Sequence, residues 1–210
     1  MQPNFIKEIM QDIDWRYSEL SILRTIPFRY GLSGGHKFFL IRYSVPIIYS
    51  LWEGYVRNTF EIYVREINSL NLSYEELSLN VLSHAISSED KLDLRNPRMS
   101  FKSEIEFVEY LNNFISVPIT ISSKLPTNSN VNFEVINNLL SRFNLEELPA
   151  KGFKSKLSKL LRFRNSVSHG DNSIPVKPKD IEEFCETIND LMSEIFERIE
   201  KGYKNKTYKK

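Results

Sequence analysis

The chain holds 210 residues, 41% hydrophobic and 26% charged, the composition of an ordinary folded domain with the length for a sizeable core. Lysine plus arginine total 28 against 27 acids, a net charge of +1, so a wholesale basic coat is excluded but a local basic patch is not. One cysteine excludes an internal disulfide. The first residues lack a signal-peptide layout and no stretch nears the ~18 apolar residues of a membrane span, so a soluble, cytoplasmic chain with no membrane partner is expected.

The hydrophobic period is helical almost throughout. Ile6, Ile9, Met10, Ile13, Tyr17, Leu20 and Leu23 recur at three- and four-residue steps, with Asp12, Asp14, Arg16 and Glu19 between them as a wet face. Pro27 and the glycine-rich residues 31–35 are expected to break this helix. A second, long and unusually apolar helix spans about 37–68, the pattern of a central helix covered on several sides. Pro46 within it predicts a kink or a late start. Ser73 and Glu76 have capping-box spacing, which predicts a shorter helix over 73–86.

Residues 87–99, with Asn96-Pro97, read as a loop. Ile105, Val108, Leu111 and Ile115 mark another helix, residues 117–130 a connection, and Val135, Ile136, Leu139, Leu140 and Phe143 a further helix. A basic helix follows over about 153–168, closed by His169-Gly170-Asp171. The last helix starts near Pro178, a favoured first-turn residue, and carries the cleanest stripe, including Cys185. Gly202 and a Lys-rich tail over 201–210, expected to be disordered, complete the chain. The whole reads as one all-α domain over 1–200, a helical bundle with a long central helix and a decorated middle region.

Familiar chemistry is missing. No CxxC pair or HExxH occurs, and His36, His84 and His169 are too scattered for a metal site, so no metal and no cofactor are expected. Residues 31–37 resemble a phosphate loop only superficially, lacking its Gly-Lys-Ser/Thr ending and a preceding strand. Cys185 and His84 lie on apolar helix faces and read as packing.

Residues 151–170 differ. They carry Lys151, Lys154, Lys156, Lys159, Arg162 and Arg164 and no acid, whereas residues 180–200 hold eight acids against Arg198 alone. The near-zero total charge therefore hides segregated regions. Arg164 follows Leu157, Leu160 and Leu161 by seven, four and three residues, on the buried stripe of its own helix. A charge there needs a partner or a task, because burying it unpaired costs several kcal/mol. Asn165 and His169 share a face four residues apart. Arg164 and His169, five apart, converge only where the helix ends or distorts, or across a dimer.

Arg164-Asn165-Ser166-Val167-Ser168-His169 resembles the arginine, polar residue, three-residue gap and histidine motif of the HEPN superfamily. Leu51-Trp52-Glu53-Gly54-Tyr55-Val56-Arg57 is similar to the tryptophan–glutamate helix of its prokaryotic stand-alone nucleases. The resemblance runs from about residue 38 to 200. It implies a small α-helical bundle and, for many members, ribonuclease activity at a site shared between two subunits. Asp171 stands where the variant paired with nucleotidyltransferase antitoxins has tyrosine.

The residues suit metal-independent RNA cleavage, in which the 2′-hydroxyl attacks the adjacent phosphate. A proton acceptor, a donor for the leaving 5′-oxygen and positive charge for the phosphorane are needed. An imidazole can do either proton step near neutrality, and arginine offers a charged fork for phosphate oxygens. Arg164, Asn165 and His169 are thus the candidate catalytic residues, with Lys154, Lys156, Lys159 and Arg162 for the RNA backbone. One histidine per chain is best doubled by a two-fold dimer. Glu53 either orients Arg164 or pairs with Arg57. The expected function is a metal-independent endoribonuclease acting on RNA, by resemblance a toxin or phage-defence effector with a cognate antitoxin or defence partner. The rivals are a non-catalytic HEPN module binding nucleotide, RNA or a protein partner, and a helical interaction domain in which Glu53 satisfies Arg164.

Overall fold

Two long helices set the frame: α1, Asn4–Arg29, and α2, Gly34–Ser69. Residues 30–33 connect them, too short for anything but antiparallel neighbours. Glu8 near the start of α1 accordingly pairs with Arg65 near the end of α2, and Arg16 meets the Leu51 carbonyl near the middle of both. The computed structural model describes residues 3–87, 100–127 and 130–210.

Pro27 does not break α1, as its sequence position had implied: it is buried inside the helix, and the chain leaves helical geometry only at extended Tyr30. Nor does Pro46 delay α2, which starts at Gly34 with the Ser33 hydroxyl accepting from the His36 N–H and runs through the proline. Tertiary packing outweighs one lost backbone bond in each helix. α2 is central because Trp52, Tyr55, Val56, Phe60 and Tyr63 are all fully buried around it, which explains its lack of a polar face.

Two more helices complete a four-helix bundle: α6, Ala150–Ser168, and α7, Pro178–Lys204. α7 runs parallel to α2, with Tyr55 Oη donating to the Met192 carbonyl at 2.8 Å and Tyr203 Oη to Glu66 at 2.6 Å. It is antiparallel to α1, where Tyr17 Oη meets Ser193 Oγ at 2.7 Å. Cys185 packs in this core and its thiol faces the Leu20 carbonyl. Burial pushes that thiol up to about 12, in keeping with packing rather than nucleophilic work. α6 packs antiparallel to α2 and joins α7 through Phe163 and Phe184, ring centroids 5.4 Å apart.

The chain between α2 and α6 decorates the bundle with α3, Leu79–Ser87, α4, Phe101–Ser116, and α5, Phe133–Arg142. Glu76 does reach back to the Ser73 N–H, but this closes only a turn, and α3 begins at Leu79. Leu77 instead pairs with Lys209 in an isolated β-bridge, which ends the helical option there. The loop expected over 87–99 lies, but for Ser87, outside the described residues. α4 forms where its spacing predicts, yet no residue of it is buried; none of Ile105, Val108, Leu111 and Ile115 joins the core, against which Phe114 packs instead. His84 is structural as expected: it is buried, its Nε2 facing the Ser122 carbonyl and its Nδ1 accepting from Arg142.

The Lys-rich tail is ordered, contrary to its reading as disordered. α7 passes through Gly202, Tyr208 is buried, Ser78 N–H donates to the Tyr208 carbonyl and Lys210 N–H to the Glu76 carbonyl. Two tyrosines anchor what five lysines made look solvated: Tyr203 stacks edge-on against Phe5 and lies beside Tyr208. Among the described residues no helix is long and apolar enough to cross a membrane.

Candidate active site

The ends of α6 are set by glycines. Lys151 and Gly152 break helical geometry, Gly152 at φ +99°, so the regular helix begins at Phe153. At the other end His169 is the C-cap and Gly170 follows at φ +71°. Gly170 N–H donates to the Val167 carbonyl at 3.1 Å and Asp171 N–H to the Ser166 carbonyl at 2.9 Å. This pair of bonds is a Schellman motif, whose left-handed position favours glycine. It fixes the backbone of His169 one residue before the chain turns away.

The turn is fastened further. Asp171 accepts from the Ser173 N–H at 2.8 Å and from its hydroxyl at 2.7 Å, bonds that hold the exposed carboxyl below the usual carboxylate range. Buried Arg42 on α2 donates to the Asp171 carbonyl at 2.7 Å. The histidine end of α6 is thereby tied to the N-terminal half of α2. Asn165 and His169 are both exposed beside this tie.

Arg164 is half-buried, as its place on the stripe required. Its guanidinium lies over the Tyr49 ring, 4.0 Å from the centroid, and Nη2 donates to Asn130 Oδ1 at 3.5 Å. Its Nε is buried with no hydrogen-bond partner. An arginine has five N–H donors, so this one keeps most of them uncommitted. Within one chain no hydrogen bond joins Arg164 to His169 among the described residues.

Glu53, one turn beyond Tyr49, approaches Arg57 at 3.9 Å and makes no ion pair or hydrogen bond with Arg164 among the described residues. Its Oε1, the atom facing Arg57, is buried and makes no hydrogen bond. Burial chiefly, and then the Glu53 charge, push the Tyr49 phenol up, while its bond to Val131 and the Arg164 cation act the other way.

The basic stretch is partly spoken for. Lys159 sits between Asp180 and Glu183 of α7 at 2.8 and 2.7 Å, and Lys154 pairs with Glu134 at 2.9 Å. Lys156 and Arg162 are exposed and face no acid among the described residues, Arg162 lying over the Phe163 ring. Of the six cations of this stretch, Lys151, Lys156, Arg162 and Arg164 thus pair with no acid among the described residues.

Sequence reasoning missed Arg42, Tyr49 and Asn130. Arg42 was detectable by the test that found Arg164: it precedes Val45 and Tyr49 by three and seven residues on the buried face of α2. Asn130 carried no such signal, because its role depends on where α2 holds the segment before α5.

No curated protein and no solved structure is similar enough to this chain to count as a match. The family model described as HEPN_MAE_28990:/-like HEPN matches residues 5–208, nearly the whole of the chain and all seven helices found among its described residues, and on that match the chain belongs to the HEPN family.

Proposed function

We propose that this protein is a metal-independent endoribonuclease whose site is completed by a second copy of the chain. The observation that carries the reading is the end of α6, where a Schellman turn fixes exposed His169 five residues after a half-buried arginine with spare donors. In the reaction the 2′-oxygen of RNA bonds to the adjacent phosphorus and the bond from phosphorus to the 5′-oxygen breaks. One His169 takes the 2′-hydroxyl proton, and the imidazolium of the partner copy protonates the departing 5′-oxygen. The products are a 2′,3′-cyclic phosphate and a 5′-hydroxyl. Arg164 stabilises the charge of the phosphorane, Asn165 orients phosphate or imidazole, and Lys156 and Arg162 hold the flanking backbone. Lys154 and Lys159 lend their charge from within ion pairs.

Two features favour a shared site. Each chain has one histidine at the motif, and it does not meet Arg164 within the chain. Beside the tied turn, Phe39, Tyr43 and Ile47 form a stripe along α2, each more than two-fifths exposed, the kind of apolar patch that marks an association surface. By family resemblance the physiological role is that of a toxin or phage-defence effector restrained by an antitoxin or defence partner.

The test is incubation of the purified protein with RNA in excess EDTA, set against His169→Ala and Arg164→Ala. Cleavage that yields cyclic phosphate ends and vanishes in both variants supports the assignment. Undiminished cleavage by His169→Ala removes the site from consideration. RNA that is bound but never cut favours a non-catalytic binding module.

A further inference from the structure

α2 grips one residue of the segment before α5 from both sides. Trp52 Nε1 donates to the Val131 carbonyl at 2.9 Å, and the Val131 N–H donates to Tyr49 Oη at 2.8 Å. Both polar groups of Val131 are thus held by side chains of neighbouring turns of α2. Asn132, next in the chain, caps α5 by accepting the Val135 N–H at 2.8 Å. A segment pinned at 131 and capped at 132 has little freedom at 130, and Asn130 Oδ1 is the atom offered to Arg164. Tyr49 therefore serves twice: its hydroxyl places Asn130 through Val131, and its ring face receives the guanidinium.

A cation over an aromatic face is held without using its N–H groups, and the attraction is strengthened where water is excluded. Glu53 adds to this pocket, since its negative field reaches the same phenol from the next turn. An arginine paired with a carboxylate would have its fork occupied. One laid on a ring, with only Nη2 turned to Asn130, keeps its other donors for an anion.

We propose that Tyr49 and Asn130 are positioning residues that hold Arg164 ready for the scissile phosphate. This rests on the endoribonuclease reading of the same site. Tyr49 never touches RNA; it fixes the angle and depth of the cation that does. A displacement of about 1 Å at such a group costs on the order of 10²-fold in rate.

The test compares wild type with Tyr49→Leu, Tyr49→Phe, Asn130→Ala, Arg164→Ala and the double variant Tyr49→Leu/Arg164→Ala, using full-length protein checked for native melting. Asn130 is exposed, so its variant spares the core should Tyr49→Leu fold poorly. Expected are a kcat loss on the order of 10²-fold in Tyr49→Leu and a smaller loss in Asn130→Ala, each with KM moved less than about threefold. Tyr49→Phe, which keeps the ring, should recover most of the rate, and the double variant should be no slower than Arg164→Ala alone. If Arg164→Ala is inactive while Tyr49→Leu and Asn130→Ala cleave like wild type, the positioning role is overturned and the nuclease reading stands. A double variant slower than Arg164→Ala also overturns it, since Tyr49 would then act apart from the arginine. If wild type cuts no RNA, the nuclease reading falls by itself, and anisotropy with a labelled, fully 2′-O-methylated RNA decides the rest. Equal weakening by Tyr49→Leu and Arg164→Ala supports the cradle, and wild-type affinity in Tyr49→Leu overturns it.

Discussion

Arg16, Arg42 and Arg164 lie on apolar faces of this bundle, and each escapes the cost of burial differently. Arg16 pairs with Asp12 at 2.7 Å and donates to the Leu51 carbonyl at 2.7 Å, room for its guanidinium coming from the missing side chain of Gly54. Arg42 uses the Asp171 carbonyl, and Arg164 an aromatic ring. Removing one member of a buried pair strands the other charge, which costs ~3–5 kcal/mol, whereas replacing an ion by an apolar group of like volume is often close to neutral. Asp12→Ala should therefore destabilise far more than Arg16→Met, as read from urea midpoints; equal losses would mean that Arg16 is not held by charge. A second prediction concerns His84. Burial, reinforced by the Arg142 charge, holds its imidazole below the ordinary value despite the Ser122 carbonyl. Below pH ~6.5 the unfolded chain takes up a proton that the folded chain resists, so this contribution is full above that pH and is lost on acidification. The loss of urea midpoint between pH 7.5 and 5.5 should be smaller in His84→Gln than in wild type, and an equal loss would contradict it. Arg164 was legible because its stripe had three leucines to mark it. Arg16 was placed on the wet face, although Ile9, Ile13 and Leu20 bracket it at helical steps, because two nearby acids made the position look solvated.

Helices were legible wherever one apolar stripe ran unbroken, as in α2, α5, α6 and α7, and their ends were legible where glycine chemistry sets them. The start of regular helix at Phe153 and its close at His169 follow from Gly152 and Gly170, two residues at positive φ, where glycine fits without strain. Elements fixed by distant partners were not legible: the turn at 73–77 is decided by the bridge to Lys209, and the tail by burial of Tyr208. That difference can be measured. Tyr208→Ala should cost ~3 kcal/mol of stability, as for a buried aromatic, whereas a solvated tail would lose almost nothing. Gly170→Ala belongs to the same scale. A side chain at a left-handed cap costs ~1–2 kcal/mol, and relief of that strain would unwind the Schellman turn and move His169. Calorimetry should show the stability loss, with Gly170→Asn milder, since asparagine tolerates this region best after glycine. RNA cleavage should fall in step with the turn, and a Gly170→Ala protein that keeps wild-type melting and cleavage would show that the turn does not place the histidine.

Over the whole molecule, the net charge of +1 is a cancellation in space as well as along the chain. The basic α6 packs against the acidic α7, and Lys159 spends its charge on Asp180 and Glu183. Of the cations on that stretch, Lys151, Lys156, Arg162 and Arg164 pair with no acid among the described residues, and they stand at different angles around the helix rather than as a coat. The antiparallel packing of α6 on α2 sets Arg164 against Tyr49 on the way to the tied turn, and the exposed Phe39, Tyr43 and Ile47 lie on the same half of α2 as Arg42. Phe39 and Tyr43 pack against each other, ring centroids 4.5 Å apart, so the stripe is an ordered face rather than three separate side chains. A second copy seated on it across a two-fold axis would bring two His169 side chains to one groove, because an isologous contact repeats whatever lies beside it. Wild type should therefore sediment at twice its 24.7 kDa at the concentrations where it cleaves RNA. Tyr43→Glu/Ile47→Glu should sediment as a monomer, keep its helical circular dichroism and lose cleavage, although both substitutions leave Arg164, Asn165 and His169 intact. Cleavage by a chain that sediments as a monomer would refute the shared site and return both proton steps to a single histidine.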